Sequence, residues 1–294
     1  MFEDIRKNKM KSYSIVLMFV LMITLIIYFI LQAFDFGITG LIIALSFSII
    51  SAWASYYNSD KIILAVSHAR PATHEEDQKL VNILDTLMLS SGLQHRPGLY
   101  VIEDSQPNAF ATGRNPEHSI ICVTTGLLEK LNYYELEGVI AHEMGHIRNY
   151  DIMLSAIVTV MVGLVVMLSD IFSRMIFYSG RNRDRDSKGG AILMVVGIIA
   201  LILSPIFGKL MQLAISRRRE YLADATAIEF TRNPDGLISA FQKLDADPDE
   251  LEVANGSTAH MYIVSPFKGK KKKKNWLSTH PSIEDRIEAL RNIK

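Results

Sequence analysis

Four hydrophobic blocks limit what this chain can fold into more than any other feature. They are residues 13–34, 36–53, 152–172 and 190–208. As helices they would measure about 33, 27, 32 and 29 Å, close to the roughly 30 Å hydrocarbon core of a bilayer. The pattern therefore predicts two transmembrane helical hairpins. Buried core helices are the alternative for all four blocks. For the first block a cleaved signal peptide is also possible, but its length and its lack of a small-residue cleavage pattern favour an uncleaved anchor.

Basic residues before the first block predict the orientation of the chain. Four of them precede this block (Arg6, Lys7, Lys9 and Lys11), whereas the turn after it holds only Asp35. The positive-inside rule therefore places both termini in the cytoplasm, together with the polar part of the chain. The loop after the third block is also basic, although two further crossings would put it outside. We prefer the crossing arrangement, with a shallow or protein-buried second hairpin as the alternative.

The hydrophobic blocks divide the chain into four regions. A membrane hairpin at residues 1–56 precedes the first polar part of a cytoplasmic domain, residues 57–151. A second hairpin at 152–215 separates it from the other polar part, residues 216–294. Formal net charge is zero, so no overall field indicates nucleic acid as a partner.

Periodicity within the polar regions predicts an α+β membrane protein, mostly helical with a small β-sheet. Apolar residues at helical spacing predict an amphipathic helix over residues 74–91. Short β-rich runs at 98–104, 108–113 and 118–125, separated by turn residues, predict the sheet. The last run contains Cys122, the one cysteine of the chain. A lone cysteine excludes an internal disulfide, and its apolar neighbours predict a buried side chain.

The sequence HEMGH at residues 142–146 has the H-E-x-x-H pattern of a zinc site on a helix. Positions i and i+4 lie on one helix face, so His142 and His146 can bind one tetrahedral Zn²⁺. Glu143 lies about 100° further round the helix, where it can reach a water at the metal but is badly placed as a ligand. That placement indicates a general base. The alternative is a pair of core histidines on a buried helix.

A third protein ligand is expected on a later helix, in SRRREYLADATAIEF. Glu220 is the first candidate. Asp224 shares its face and is placed to accept a hydrogen bond from the distal nitrogen of a ligand histidine, which would fix the tautomer of that ring. Taken alone, this pair would more often be a solvated helix face.

The chain resembles the HtpX family of membrane-integrated zinc metalloproteases, relatives of the CAAX prenyl proteases. The resemblance rests on the N-terminal hydrophobic pair, PNAFATGR, VTTGLLEKLNYYELEGVIAHEMGHIRNYDI, the second hydrophobic pair, RRREYLADATA and STHPSIEDRIEAL, which follow one another in the family's order. It implies one Zn²⁺ held by His142, His146 and Glu220, with Glu143 as catalytic base and Asp224 supporting a ligand. It also implies a gluzincin-like fold and proteolysis of damaged membrane proteins at the bacterial inner membrane.

The resemblance adds further candidate residues. Asn108 and Ala109 fall where the family has an edge strand that can pair with an extended substrate, although read alone they form an Asn turn. His280 matches a family histidine and is a candidate hydrogen-bond donor to the developing oxyanion; alone it is a surface histidine. Arg286 is expected to anchor its helix or an acidic partner. The remaining histidines are predicted to be surface or structural: His68, His74, His95, His118 and His260.

A lysine-rich run, Lys268–Lys274, is either a solvated loop or a contact to anionic lipid at the cytoplasmic surface. A nucleic-acid role is not expected, since no aromatic platform or basic fold surrounds the run.

Two rival functions remain. A protease that cuts within the bilayer would carry its H-E-x-x-H inside a membrane helix, but charged residues precede the motif here. A scaffold with structural zinc would be expected to have four protein ligands, often cysteines. The sequence favours a membrane-bound zinc endopeptidase over both.

Overall fold

The structure is a computed structural model that describes residues 2–32, 35–75, 77–163, 217–251, 258–266 and 281–293. Its helices are α1 (Phe2–Gln32), α2 (Gly37–Tyr57), α3 (Ser59–Val66), α4 (Gln78–Ser91), α5 (Thr125–Lys130), α6 (Tyr133–Arg148), α7 (Asp151–Gly163), α8 (Arg217–Thr231), α9 (Pro234–Ala246) and α10 (Ile283–Arg291). Its strands are β1 (Arg70–Pro71), β2 (Gly98–Ile102), β3 (Ala109–Gly113) and β4 (Ser119–Thr124).

Helices α1 and α2 contain the two described segments that are long and apolar enough to cross a membrane, Ser12–Phe29 and Gly37–Tyr57. Only 33% and 17% of these segments are buried, which argues against the core-helix alternative because a soluble core helix hides most of its apolar side chains. Large exposed side chains cover both: Leu17, Leu21, Leu25, Phe29, Ile38, Ile42, Phe47, Ile50 and Trp53. The apolar helices therefore indicate a membrane location.

The second hydrophobic pair is described only in part. Helix α7 covers the first part of the block predicted at 152–172, up to Gly163. Residues 164–172 lie outside the described residues. The fourth block, residues 190–208, lies outside the described residues. Met153, Ile157 and Met161 of α7 pack in one buried cluster with Ile15 and Phe19 of α1. This contact attaches the N-terminal hairpin to the helix that follows the HEMGH motif.

The sheet is small, as the sequence predicts, and it is mixed, with the strand order β1-β2-β4-β3. Strands β2 and β4 are parallel, and the other two pairs are antiparallel. All three predicted strands form within a residue or two of their expected bounds. Strand β1 was not predicted, because it has two residues and one of them is Pro71. Cys122 is fully buried on β4, as expected.

Helix α4 starts later than the predicted residue 74. The side chain of Asp77 accepts hydrogen bonds from the Thr73 amide and from Arg70, both at 3.0 Å. These bonds hold the preceding residues in a turn, so the helix begins at Gln78. The apolar face of α4 packs on α6 as the periodicity predicts.

Helix α6 is the centre of the domain. Asn132 and Glu135 form a capping box at its start, in which each side chain binds the backbone amide of the other. The helix packs against α4, α8, α9 and β3. Eleven of its residues are buried, including His142 and Glu143. A helix surrounded in this way holds its side chains in fixed positions.

Candidate active site

The HEMGH motif lies on the last turns of α6, facing a cleft. Its side chains His142 and Glu143 are 1% and 2% exposed, and His146 is half-buried at the opening. The Nε2 atoms of the two histidines lie 3.1 Å apart, with the rings nearly perpendicular. The i, i+4 spacing therefore directs both nitrogens to one point.

Helix α8 brings the carboxylate of Glu220 to the same point. Its Oε2 lies 3.7 Å from His142 Nε2, and its Oε1 lies 3.7 Å from His146 Nε2. The close packing of α6 on α8 depends on Gly145. A Cβ atom at this position would lie 3.1 Å from the Ala223 carbonyl oxygen and 3.2 Å from its Cα. The small residue inside the motif thus allows α8 to approach.

Two carboxylates lie behind the histidines, one for each ring. Asp224 Oδ1 is 2.9 Å from His142 Nδ1, and Asp151 Oδ2 is 3.0 Å from His146 Nδ1. Each contact favours a hydrogen on Nδ1, so that the Nε2 atom of the neutral ring has its lone pair free for a metal between the rings and the Glu220 carboxylate. This is the arrangement by which carboxylates orient metal-binding histidines in proteins.

Arg286 of α10 connects Asp224 to the core. Its Nε donates to Asp224 Oδ2 at 2.9 Å and its Nη2 to Oδ1 at 2.6 Å. Its Nη1 lies 3.4 Å from Glu220 Oε2, and the guanidinium stacks 4.1 Å from the centroid of the Phe241 ring. With 1% of its surface exposed, Arg286 is a buried charge compensated by two acidic residues.

Burial and neighbouring charges shift the pKa values of His142, Glu143, His146 and Asp224. Burial lowers the pKa of His142 to about 4, and Arg286 adds to this effect. Burial raises the pKa of Glu143 to about 7. Burial also opposes protonation of His146, but the hydrogen bond to Asp151 and the charge of Glu220 raise its pKa to about 9. For Asp224 the charge of Arg286 outweighs burial, so its pKa is lowered.

Glu143 faces the cleft from the floor formed by α6 and β3. Ala111 of β3 also lines the cleft, and its backbone partly offsets the rise in the pKa of Glu143 that burial causes. The cleft is lined by both polar parts of the chain and by α7: Ala111, His142, Glu143, His146, Asp151, Ile152, Ser155, Arg219, Glu220, His260, Met261 and Ile263. A carboxylate with its pKa raised toward neutrality is suited to accept and return a proton at physiological pH.

The other predicted residues have different surroundings. Asn108 and Ala109 are buried, at 0% and 1% exposure, at the start of β3 rather than in an exposed turn. Their polar groups bond to Ile263 and Val264 of the same chain. His280 and the run Lys268–Lys274 lie outside the described residues. Arg286 is placed as expected, against an acidic partner.

Sequence reasoning missed two residues at this cleft. Asp151 stands five residues after His146, a spacing at which a helix places side chains on different faces, but a break after Arg148 turns it back to the histidine. Tyr150 in this break has a positive φ of 60°. His260 was expected to be surface or structural; it is 4% exposed and lines the cleft. No spacing signal connects it to the motif.

The donor set fits a zinc ion. Two imidazole nitrogens and a carboxylate form one group of possible ligands, with their atoms within 4.8 Å of one another. Ligands about 2.0 Å from a tetrahedral Zn²⁺ stand roughly 3.3 Å apart, which is close to the observed separations of 3.1 and 3.7 Å. Three protein ligands leave a fourth position open, as in catalytic sites.

Comparison with known proteins agrees with this geometry. The profile of Peptidase family M48 matches residues 74–294. A protease HtpX homolog from Thermoanaerobacter pseudethanolicus is 41% identical, covering 100% of this chain and 98% of the relative. A protease HtpX homolog from Listeria monocytogenes is 42% identical over the full length of both chains.

Among solved structures, the crystal structure of S. mikatae Ste24p aligns with 99% of this chain and 66% of its own length, at 17% identity and a TM-score of 0.48. The family assignment rests on the sequence matches, which cover the HEMGH helix, Glu220 and the C-terminal helix. The chain belongs to peptidase family M48 and, within it, to the HtpX proteases; it is a metallopeptidase.

Proposed function

We propose that this metallopeptidase is a zinc-dependent endopeptidase that cleaves misfolded or damaged membrane proteins at the cytoplasmic face of the bacterial inner membrane. The observation that carries the proposal is the convergence of His142, His146 and Glu220 on one point, beside the buried Glu143. The ligand set is the one expected from the sequence.

Zinc, when held by His142, His146 and Glu220, supplies a Lewis acid that polarises the scissile carbonyl and makes water acidic. Glu143 is the base that takes a proton from the attacking water and returns it to the leaving amine. Ala111 of β3 lines the cleft together with Glu143. Asp224 and Asp151 keep the two histidines oriented, and Arg286 fixes Asp224.

Zinc is favoured over magnesium or calcium by the donor atoms. Imidazole nitrogen suits zinc and other transition metals, whereas magnesium and calcium prefer oxygen ligands. A structural site would be expected to have a fourth protein ligand, and the described residues provide three. An open position in a cleft is what a substrate carbonyl needs.

The site lies next to the apolar helix α7, which we take to be the start of the third membrane helix. Asp151, which contacts His146, is the first residue of α7, and Ile152 and Ser155 of the same helix line the cleft. Helix α7 in turn packs on α1. A peptide bond near the bilayer would therefore be close to Glu143 without diffusion of the substrate through the cytoplasm, since tethering both partners to one surface raises their effective concentration.

Other predicted contacts stay part of the proposal. His280 is the candidate donor to the oxyanion, and Asn108 with Ala109 is the candidate substrate edge. The run Lys268–Lys274 is a candidate contact to anionic lipid, with each lysine near the surface contributing about 1 kcal/mol.

The experiment compares one substrate in two forms. A poorly folded domain is co-reconstituted with the protease in liposomes, either fused to a transmembrane helix or soluble, with its loops identical in the two forms. We expect faster cleavage of the anchored form, at a loop or tail near the bilayer on the protease side. Equal rates would mean that membrane anchoring does not favour cleavage, while the peptidase activity itself would stand.

A further inference from the structure

Strand β3 is the outer strand of the described sheet on the side of the cleft. Its partner on the other side is β4, and the Thr124 amide donates to the Asn108 carbonyl at 3.0 Å. Backbone groups alternate along an antiparallel strand, so the amides and carbonyls of Ala109 and Ala111 point away from β4. This outward edge is where an extended peptide would add as a further strand.

Part of this edge is already paired with the chain itself. The Ile263 amide donates to the Ala109 carbonyl at 3.0 Å. The Asn108 side chain binds the next residue of the same segment at two points: its Nδ2 donates to the Val264 carbonyl at 3.1 Å, and its Oδ1 accepts from the Val264 amide at 3.4 Å. Residues 258–266, called here the covering segment, thus bond the Asn108 side chain and the Ala109 carbonyl.

The covering segment also enters the catalytic cleft. His260, Met261 and Ile263 line it together with the HEMGH side chains. The ring of Tyr262 packs edge-on against Phe110 of β3, with centroids 5.1 Å apart. The Oγ1 atom of Thr159, on α7, lies 3.1 Å from Met261 Sδ. The covering segment therefore contacts β3 on one side and α7 on the other.

We propose that the covering segment is an autoinhibitory contact: it occupies the part of the β3 edge that an extended substrate needs, and it leaves this edge when a substrate binds. The inference rests on the proposed function, because it assumes that the cleft cleaves peptides. In the closed state Ile263 bonds to the Ala109 carbonyl and Val264 bonds to the side-chain amide of Asn108. A bound substrate then makes these bonds in their place. Because Met261 contacts Thr159 of α7, a movement of α7 would also move the covering segment.

Hydrogen exchange tests the displacement. The Glu143→Gln chain, loaded with zinc, is studied by mass spectrometry with and without saturating unfolded β-casein as the probe. We expect peptides covering residues 258–266 to exchange at least ten-fold faster when casein is bound, while peptides of α4 are unchanged. Unchanged or slower exchange in the covering segment would overturn the inference, since the segment would then be a fixed wall of the cleft.

A variant that loosens the segment gives an independent readout. Tyr262→Ala removes the ring that packs on Phe110 and keeps the backbone of the segment. We expect its kcat/KM for casein to rise several-fold, with the change mainly in KM. Leu87→Ala is the matched control, because Leu87 is equally buried but lies on α4, and its loss lowers stability without increasing cleavage. A fall in kcat/KM for Tyr262→Ala would contradict autoinhibition.

The two ideas fail in different ways. If the unmodified chain with zinc does not cleave casein, the proposed function is wrong. If it cleaves casein while the covering segment keeps its protection in the complex, only the autoinhibitory contact is wrong. If Tyr262→Ala does not fold, the exchange experiment decides alone, since it leaves Tyr262 in place.

Discussion

The Nδ1 atom of His146 lies 3.0 Å from Oδ2 of Asp151, the first residue of α7. One residue thus begins the apolar helix α7 and orients a candidate metal ligand. The Nη1 atom of Arg219, the residue before Glu220, lies 3.8 Å from Oδ1 of Asp151. A displacement of α7 would therefore be transmitted to His146 through a short polar contact.

Replacing Asp151 tests this contact. Asp151→Ala is expected to weaken zinc binding by about 10–100-fold, the usual loss when a carboxylate behind a histidine is removed. Asp151→Asn, which keeps an acceptor, is expected to lose less. The measurement is competition with a fluorescent zinc chelator in detergent. The control is Asp85→Ala, which removes an exposed carboxylate paired with Arg96. If Asp85→Ala and Asp151→Ala bind zinc with the same affinity, the contact between Asp151 and His146 has no role in zinc binding.

Arg286 is expected to contribute to stability more than a surface cation does. Arg286→Met leaves Asp224 as an uncompensated buried charge, which costs about 3–5 kcal/mol when a buried pair is broken. Asp224→Asn combined with Arg286→Met should recover part of this loss, because neither charge is left alone. The free energy of unfolding of the single and double variants in detergent measures the coupling. Additive losses would mean that the two side chains act independently.

Glu135 is expected to make stability depend on pH at the acid end. Burial raises the pKa of Glu135, but hydrogen bonds from Lys243, Ser239 and the Asn132 amide outweigh it and hold the pKa below its usual value. A lowered pKa means that the ionised form stabilises the fold above the unfolded value of 4.5, and this contribution is lost as pH falls through the folded pKa.

The check is the thermal midpoint of Glu135→Gln against the unmodified chain between pH 7 and pH 3. We expect the unmodified chain to be more stable at pH 7 by about 1–2 kcal/mol. The difference should shrink as the pH falls below about 4.5. A difference that stays constant over this range would exclude the charge of Glu135 as its source.

The orientation of the first hairpin can be tested at two positions. Asp35 lies in the exposed turn between α1 and α2, and Leu89 is 89% exposed on the protease domain. With Cys122 replaced by serine, Asp35→Cys should react with an impermeant maleimide in intact cells. Leu89→Cys should react only after the cells are opened. The reverse pattern would place the active site outside.

The motif residues were predictable because their geometry is local. His142, Glu143 and His146 lie on one helix, where a spacing of four residues fixes the direction of each side chain. The helix itself is indicated by its helical pattern and by the uncharged residues around the motif. The three longer strands were predictable for the same reason, since β-rich composition and flanking turn residues are properties of short segments.

What the sequence did not reveal depends on contacts between distant parts of the chain. Asp151 reaches His146 only because the helix breaks at a residue with positive φ. The burial of Asn108 and Ala109 comes from residues more than 150 positions later, and no local pattern predicts that pairing. Arg286 could be expected to meet an acidic group, but its stacking on Phe241 follows from how α9 and α10 pack.

The central claim is that a metal held by His142, His146 and Glu220 works with Glu143 as base. The most direct test is cleavage of β-casein by the purified chain after chelation and return of zinc, beside Glu143→Gln and the control Glu137→Gln on the same helix. We expect zinc to restore cleavage in the unmodified chain and in Glu137→Gln. Glu143→Gln should bind one zinc per chain with no detectable cleavage. Undiminished cleavage by Glu143→Gln with zinc bound would contradict the account.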